Sequence, residues 1–229
     1  MTDRILGRVG AAGGAAFVVL ALAGGGGGQG PASDASREQI GRYFSTAKTI
    51  GGFTTAGPLL EILAMLCLLV FWSRITSAVR RAEGDEGWLH RVVYGAGVGS
   101  VILKLSSFPA AFALHTRPGK GVDPALLTAL YDMNNCAFVL GWATSGLALL
   151  GVGVAVLRYG ALPRWIGYSA TAIGPALLLA VPFANGPGPI AFLALLLWLV
   201  ATSLALVIRP EQTSQPEPAR PTSASPAYA

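Results

Sequence analysis

Charged residues are scarce in this chain, and their scarcity excludes most classes of soluble protein. Asp, Glu, Lys and Arg make up 12% of its 229 residues, against about 25% in an average soluble domain. Hydrophobic residues make up 53% of the chain, and several stretches approach the roughly 20 apolar residues that cross a bilayer as a helix. The composition therefore predicts an integral membrane protein in contact with the lipid bilayer.

The apolar stretches lack the two-residue alternation that marks the strands of a transmembrane barrel. Because backbone groups in lipid must be hydrogen-bonded within the protein, the sequence predicts an all-α fold, a polytopic transmembrane helix bundle. Its six spans are predicted near residues 5–24, 54–72, 92–114, 127–157, 165–184 and 190–208. The fourth is too long for one vertical span, so it either tilts or begins outside the bilayer.

Cysteine and histidine are too few for a metal site or a disulfide framework. The two cysteines, Cys67 and Cys136, lie in apolar stretches, and His90 and His115 are the two histidines. A zinc site needs about four N or S ligands at recognisable spacing, and no CxxC occurs. Ser-His-Asp, HExxH and GxSxG arrangements are also missing. We therefore predict no cofactor, no metal, no catalytic residue and no enzymatic activity.

The positive charge of the chain, +5 at pH 7, fits a membrane topology better than nucleic-acid binding. No basic run is interleaved with aromatic residues, so we predict no nucleic-acid partner. With the N-terminus inside, the inner segments carry ten Lys and Arg residues and the outer segments carry five. Inner segments are normally richer in these residues, which predicts a plasma-membrane protein with both termini in the cytoplasm.

The first apolar segment, residues 5–24, has two interpretations. A basic start, an apolar middle and an A-x-A pattern are typical of a cleaved signal peptide. We favour a retained helix, because Gly10 and Gly14 form the small-xxx-small pattern of helix packing. Gly95 and Gly99 repeat this pattern in the third span and predict a close-packing face there.

Two segments fall outside the spans. Residues 36–50 predict an amphipathic outer helix that begins with a capping box of Ser36 and Gln39. This helix either lies on the membrane surface or packs over the mouth of the bundle. The proline-rich segment 209–229 predicts a disordered cytoplasmic tail, which leaves 1–208 as the transmembrane bundle.

Ionisable residues inside three spans are the strongest functional signal. Glu61, Lys104 and Asp132 lie in apolar stretches, and the amide of Asn135 lies beside the last of them. Each charge costs roughly 2.5–3.5 kcal/mol at mid-membrane, so the charged groups should pair or face a polar cavity. Counting residues inward from the outer end of each span places these side chains at similar depths, which predicts one cluster in the outer half of the bilayer. Such a cluster is either an ion or substrate site, or a salt bridge that fixes helix register.

The sequence Leu-Pro-Arg-Trp-Ile-Gly at residues 162–167 resembles a turn of small polytopic membrane proteins from high-GC Gram-positive bacteria. The resemblance extends over roughly residues 5–208 through the order of the helices. Those families have no known function. The resemblance implies a fold of about six helices and a membrane location, and it carries over no catalytic or binding residue.

These features together predict a non-enzymatic accessory or structural membrane protein that binds a membrane-protein partner or a second copy of itself. The alternative is a small transporter or channel that uses Glu61, Lys104 and Asp132. A wet cavity that reaches these residues favours the transporter, whereas a dry and closed ion pair favours the structural role.

Overall fold

The structure, a computed structural model, describes residues 2–24, 31, 35–46, 56–84, 86–116, 123–180 and 188–208. Every regular element in these residues is a helix, which confirms the all-helical prediction for them. The helices are α1 (Thr2–Gly24), α2 (Arg37–Thr46), α3 (Ala56–Glu83), α4 (Leu89–Ser106), α5 (Phe108–Thr116), α6 (Pro124–Tyr159), α7 (Arg164–Leu179) and α8 (Gly188–Ile208).

Five segments are long and apolar enough to cross a membrane, namely Ile5–Gly24, Leu59–Glu83, Leu89–Ala110, Pro124–Tyr159 and Pro189–Ile208. The predicted fifth span, 165–184, overlaps helix α7, of which the structure describes 16 residues. Its predicted end at 181–184 lies outside the described residues, as do 47–50 of the predicted outer helix and the predicted tail 209–229.

Six helices form a closed ring. Helix α1 contacts α3, α3 contacts α4, and α4 contacts α6; α6 then contacts α7, α7 contacts α8, and α8 returns to α1. Glycines allow neighbouring helices of this ring to pack closely, because they have no side chain at the points where the helices cross. A Cβ at Gly13 of α1 falls 2.5 Å from the carbonyl oxygen of Cys67 in α3, and a Cβ at Gly146 of α6 falls 2.7 Å from the carbonyl oxygen of Gly174 in α7.

The third predicted span, 92–114, is not one continuous helix. Helix α4 ends at Ser106, and α5 begins at Phe108 after a turn at Ser107. Pro109 explains the break, because proline has no N–H and its ring clashes with the carbonyl four residues earlier. The hydroxyl of Ser107 donates to the Lys104 carbonyl at 2.7 Å and satisfies a backbone group at the end of α4.

The helix of the second predicted span, 54–72, does not end at residue 72, because α3 continues to Glu83 and carries Arg74, Arg80 and Arg81 as helical residues. The Glu83 carboxylate then accepts hydrogen bonds from the backbone N–H groups of Leu89, at 2.8 Å, and His90, at 3.0 Å. This carboxylate caps the first turn of α4 and makes α3 and α4 an antiparallel pair.

Helix α2 packs on the first turns of α6. The predicted capping box is confirmed, since the Ser36 N–H donates to the Gln39 side chain at 2.8 Å and the Gln39 N–H donates to Ser36 Oγ at 3.2 Å. Ile40 and Phe44 are buried in a cluster with Leu127 and other residues of α5 and α6. Of the two alternatives for this helix, the structure favours packing on the bundle.

Candidate functional site

A cavity of about 270 Å³ lies inside the helix ring. Five helices line it: α1, α3, α4, α6 and α8. Its lining residues are Phe17, Ala21, Leu22, Glu61, Met65, Leu68, Trp72, Ser100, Lys104, Phe138, Gly141, Trp142, Ser145, Phe192, Leu195, Leu196 and Leu199.

The cavity lies toward one end of the bundle. Its lining uses the C-terminal halves of α1 and α4, the N-terminal parts of α3 and α8, and the middle of α6. Because α3 and α4 are antiparallel, these parts share the end opposite the Glu83 turn. Under the predicted orientation this end is the outer one.

Lys104 lies against an aromatic cluster in this cavity. Its ammonium nitrogen lies 3.6 Å from the centre of the Phe138 ring, in cation–π contact. Phe138 packs edge-on against Trp142 at 4.8 Å, and Trp142 stacks on Phe192 of α8 at 4.7 Å with an interplanar angle of 14°. The cation thus lies on the face of one ring, Phe138, which belongs to an aromatic cluster of α6 and α8.

Glu61 lines the same cavity but does not form an ion pair with Lys104. In the described part of the chain, no carboxylate oxygen lies within 4.0 Å of the Lys104 ammonium, although Glu61 is near enough to attract it through space. Trp72 packs on Gly97 and sets the register of α3 and α4. From that contact Lys104 lies about 10 Å along α4 and Glu61 about 16 Å along α3, so their backbones are offset.

Two hydrogen-bond donors in the cavity wall have no acceptor among the described residues. The indole nitrogens of Trp72 and Trp142 are buried and have no hydrogen-bond partner among the described residues. The hydroxyls of Ser100 and Ser145 already donate, at 2.7 Å to the Gly97 carbonyl and at 2.9 Å to the Gly141 carbonyl. Buried donors normally have partners, so the two indoles indicate that something else completes this site.

Asp132 and Asn135 do not join Glu61 and Lys104 in the cavity lining. Asp132 is exposed and Asn135 is half-buried. Asp132 lies nine residues before Gly141, which places it on about the opposite side of α6 at 3.6 residues per turn. In addition, α6 has 36 residues, or about 54 Å, which is longer than the roughly 30 Å hydrocarbon core of a bilayer, so one of its ends can extend beyond that core. This length removes the reason for expecting Asp132 inside lipid.

The structure also shows where the glycine pair of the third span and the two cysteines lie. Of the Gly95–Gly99 pair, Gly95 has no described atom within 4 Å of its Cβ position, whereas a Cβ at Gly99 would lie 4.0 Å from Thr144 Cγ2 of α6. Cys67 and Cys136 are free thiols. No group of three or more His, Cys, Asp or Glu is placed to hold a metal among the residues that the structure describes.

Sequence reasoning did not identify Phe138 and Phe192 as residues of this site. Phe138 shares a helix face with Gly141, Trp142 and Ser145 at helical spacing, so the pattern could have identified it. Phe192 lies on α8, and only the closed ring brings it to α6. Comparison with known proteins gives no further assignment, because no protein-family model, no curated protein and no solved structure matches this chain.

Proposed function

We propose that this chain is a non-enzymatic plasma-membrane protein that binds a small molecule in the cavity at Lys104 and belongs to the class of small transporters or channels. In the part of the chain that the structure describes, this cavity holds an ammonium that forms no ion pair and two indole donors that have no hydrogen-bond partner, and this combination carries the proposal. A salt bridge that fixed helix register would bring the ammonium and the carboxylate into contact. Lys104 and Glu61 instead share a space large enough for a ligand.

The proposed topology has six spans and both termini in the cytoplasm. Helix α7 supports a sixth crossing because it occupies one place in the ring, between α6 and α8. Its 16 described residues correspond to about 24 Å, close to the roughly 30 Å of the hydrocarbon core. The excess of Lys and Arg on the inner segments supports the orientation.

The absence of enzymatic activity is part of the proposal and rests on the geometry of the lining. Ser100 and Lys104, four residues apart on α4, are the nearest approach to a nucleophile and its base. A working pair needs a hydrogen bond between them. Ser100 donates to the Gly97 carbonyl, and Lys104 lies over Phe138.

Cysteine labelling tests whether water reaches the cavity from outside. In a chain whose Cys67 and Cys136 are replaced by serine, Ser145→Cys lines the cavity, whereas Ala148→Cys lies one turn away in the closed core. We expect an anionic, membrane-impermeant methanethiosulfonate added to intact cells to label Ser145→Cys at least tenfold faster.

Equal and slow labelling of the two cysteines would contradict the proposal and favour the accessory or structural role. Fast labelling of Ser145→Cys in inverted vesicles alone would contradict the orientation. The Ala148→Cys variant controls for general opening of the bundle, because a partly unfolded protein exposes both positions alike.

A further inference from the structure

Several donors of the cavity have no acceptor within hydrogen-bond reach among the described residues, although the Glu61 carboxylate lines the same cavity. Three donors face this problem: the Lys104 ammonium, which has no carboxylate within 4.0 Å among the described residues, and the indole N–H groups of Trp72 and Trp142. Trp72 is completely buried. The serine hydroxyl protons are already used. A ligand that satisfies the Lys104 ammonium brings a hydrogen-bond acceptor, and next to an ammonium the strongest acceptor is an anion.

The rest of the lining is apolar and sets the size of the ligand. Side chains such as Leu68, Leu195 and Leu199 offer no polar atom. A cavity of about 150 Å³ lined by similar residues binds benzene, which has six carbon atoms. By proportion, the 270 Å³ of this cavity suits a molecule of about ten non-hydrogen atoms.

We propose that the cavity binds an amphipathic monocarboxylate of this size, such as octanoate. Its carboxylate lies at Lys104, and its hydrocarbon chain lies along the leucine side chains of α3 and α8. This inference rests on the proposed function and adds the class of ligand. It commits to a free acid and not to a phospholipid, because the cavity holds a body of about ten non-hydrogen atoms and not a two-chain lipid.

Glu61 gives this site a second property. A bound carboxylate places a second negative charge beside the Glu61 carboxylate, and like charges in one site disfavour double ionisation. The charge on Glu61 therefore weakens binding of the anion. Removal of that charge strengthens binding, whereas removal of the Lys104 charge weakens it. The two lining residues thus have opposite effects on one ligand.

Octanoate affinity measured by calorimetry on the full-length protein in nanodiscs tests the ligand class. We expect octanoate to bind at least tenfold more tightly than 1-octanol or octylammonium, which share its chain and differ in charge. Lys104→Met should weaken octanoate binding at least tenfold, and Glu61→Gln should strengthen it about threefold or more at pH 7. Lys104→Arg should keep most of the affinity, and Arg91→Gln, an exposed charge on the same helix, should leave it unchanged.

Equal affinity for the three eight-carbon probes would overturn the proposal, and so would octanoate binding that Lys104→Met leaves intact. Should Lys104→Met fail to fold, Glu61→Gln decides alone, because weaker or unchanged binding in that variant contradicts the opposing charge. The result also separates the two proposals. A cavity that labels at Ser145→Cys but does not bind octanoate refutes the ligand class and leaves the proposed function standing, whereas a cavity that fails both tests refutes both.

Discussion

Replacement of Gly13 by alanine is expected to lower the free energy of unfolding by about 1–3 kcal/mol, the usual cost of overpacking. The new Cβ falls 2.5 Å from the carbonyl oxygen of Cys67 and 3.2 Å from the backbone nitrogen of Phe71. Both atoms belong to the backbone of α3, so no side-chain rotation relieves the contact. Helix α1 must move away from α3, and the cavity wall that includes Phe17 moves with it.

Thermal unfolding in detergent micelles checks this expectation, with Gly95→Ala as the matched control. Gly95 is also a helical glycine, but nothing described lies within 4 Å of its Cβ. Its replacement should be neutral or stabilise by up to about 1 kcal/mol through helix propensity. These two variants also test whether the first apolar segment, residues 5–24, is retained as a helix or cleaved as a signal peptide. If that segment is a cleaved signal peptide, Gly13→Ala leaves the stability of the mature protein unchanged.

Replacement of Gly141 by leucine is expected to fill part of the cavity and to weaken octanoate binding about fiftyfold, although it removes no charge. Gly141 lines the cavity, and its Cβ would lie 3.5 Å from the Ser100 carbonyl oxygen, an ordinary contact. Leucine at this position places about three further carbon atoms in the space of the ligand chain. Loss of three buried methylenes costs about 2.4 kcal/mol at about 0.8 kcal/mol each, which corresponds to about fiftyfold in affinity.

Gly141→Ala serves as the control, because its single methyl group fits beside Ser100 and leaves most of the cavity open. Its octanoate affinity should stay within about fourfold of the parent value, since one methylene is worth about 0.8 kcal/mol. Calorimetry on both variants, compared at equal thermal stability, distinguishes an affinity loss caused by filling of the cavity from one caused by unfolding of the protein. Full octanoate binding by a folded Gly141→Leu variant would show that the ligand lies elsewhere.

The sequence alone predicted the helices whose apolar runs begin and end at clear signals. The span at 5–24 corresponds to Ile5–Gly24, and the span at 190–208 corresponds to Pro189–Ile208. The break at Ser107 was missed, although Pro109 signalled it locally. The end of α3 could not be read from charge, because arginines continue a helix as readily as they begin a loop.

The candidate site was predictable in part and for a physical reason. The charged side chains of Glu61 and Lys104 have a high free energy in lipid whatever residues surround them. Their occurrence in apolar stretches therefore predicted that they face the interior of the helix bundle. Asp132 was grouped with them by counting residues from a presumed membrane edge, and the length of α6 removes that edge. Phe192 required the closure of α8 onto α6, a contact between distant segments that no local pattern encodes.

The most direct test of the central claim is photolabelling with an octanoate analogue that carries a diazirine on its chain, followed by mass spectrometry of the protein in nanodiscs. The account predicts adducts on cavity residues such as Trp142 and Phe192, reduced by excess octanoate and by Gly141→Leu. Adducts confined to exposed residues of α8 such as Leu193 and Leu197, insensitive to octanoate, would contradict it.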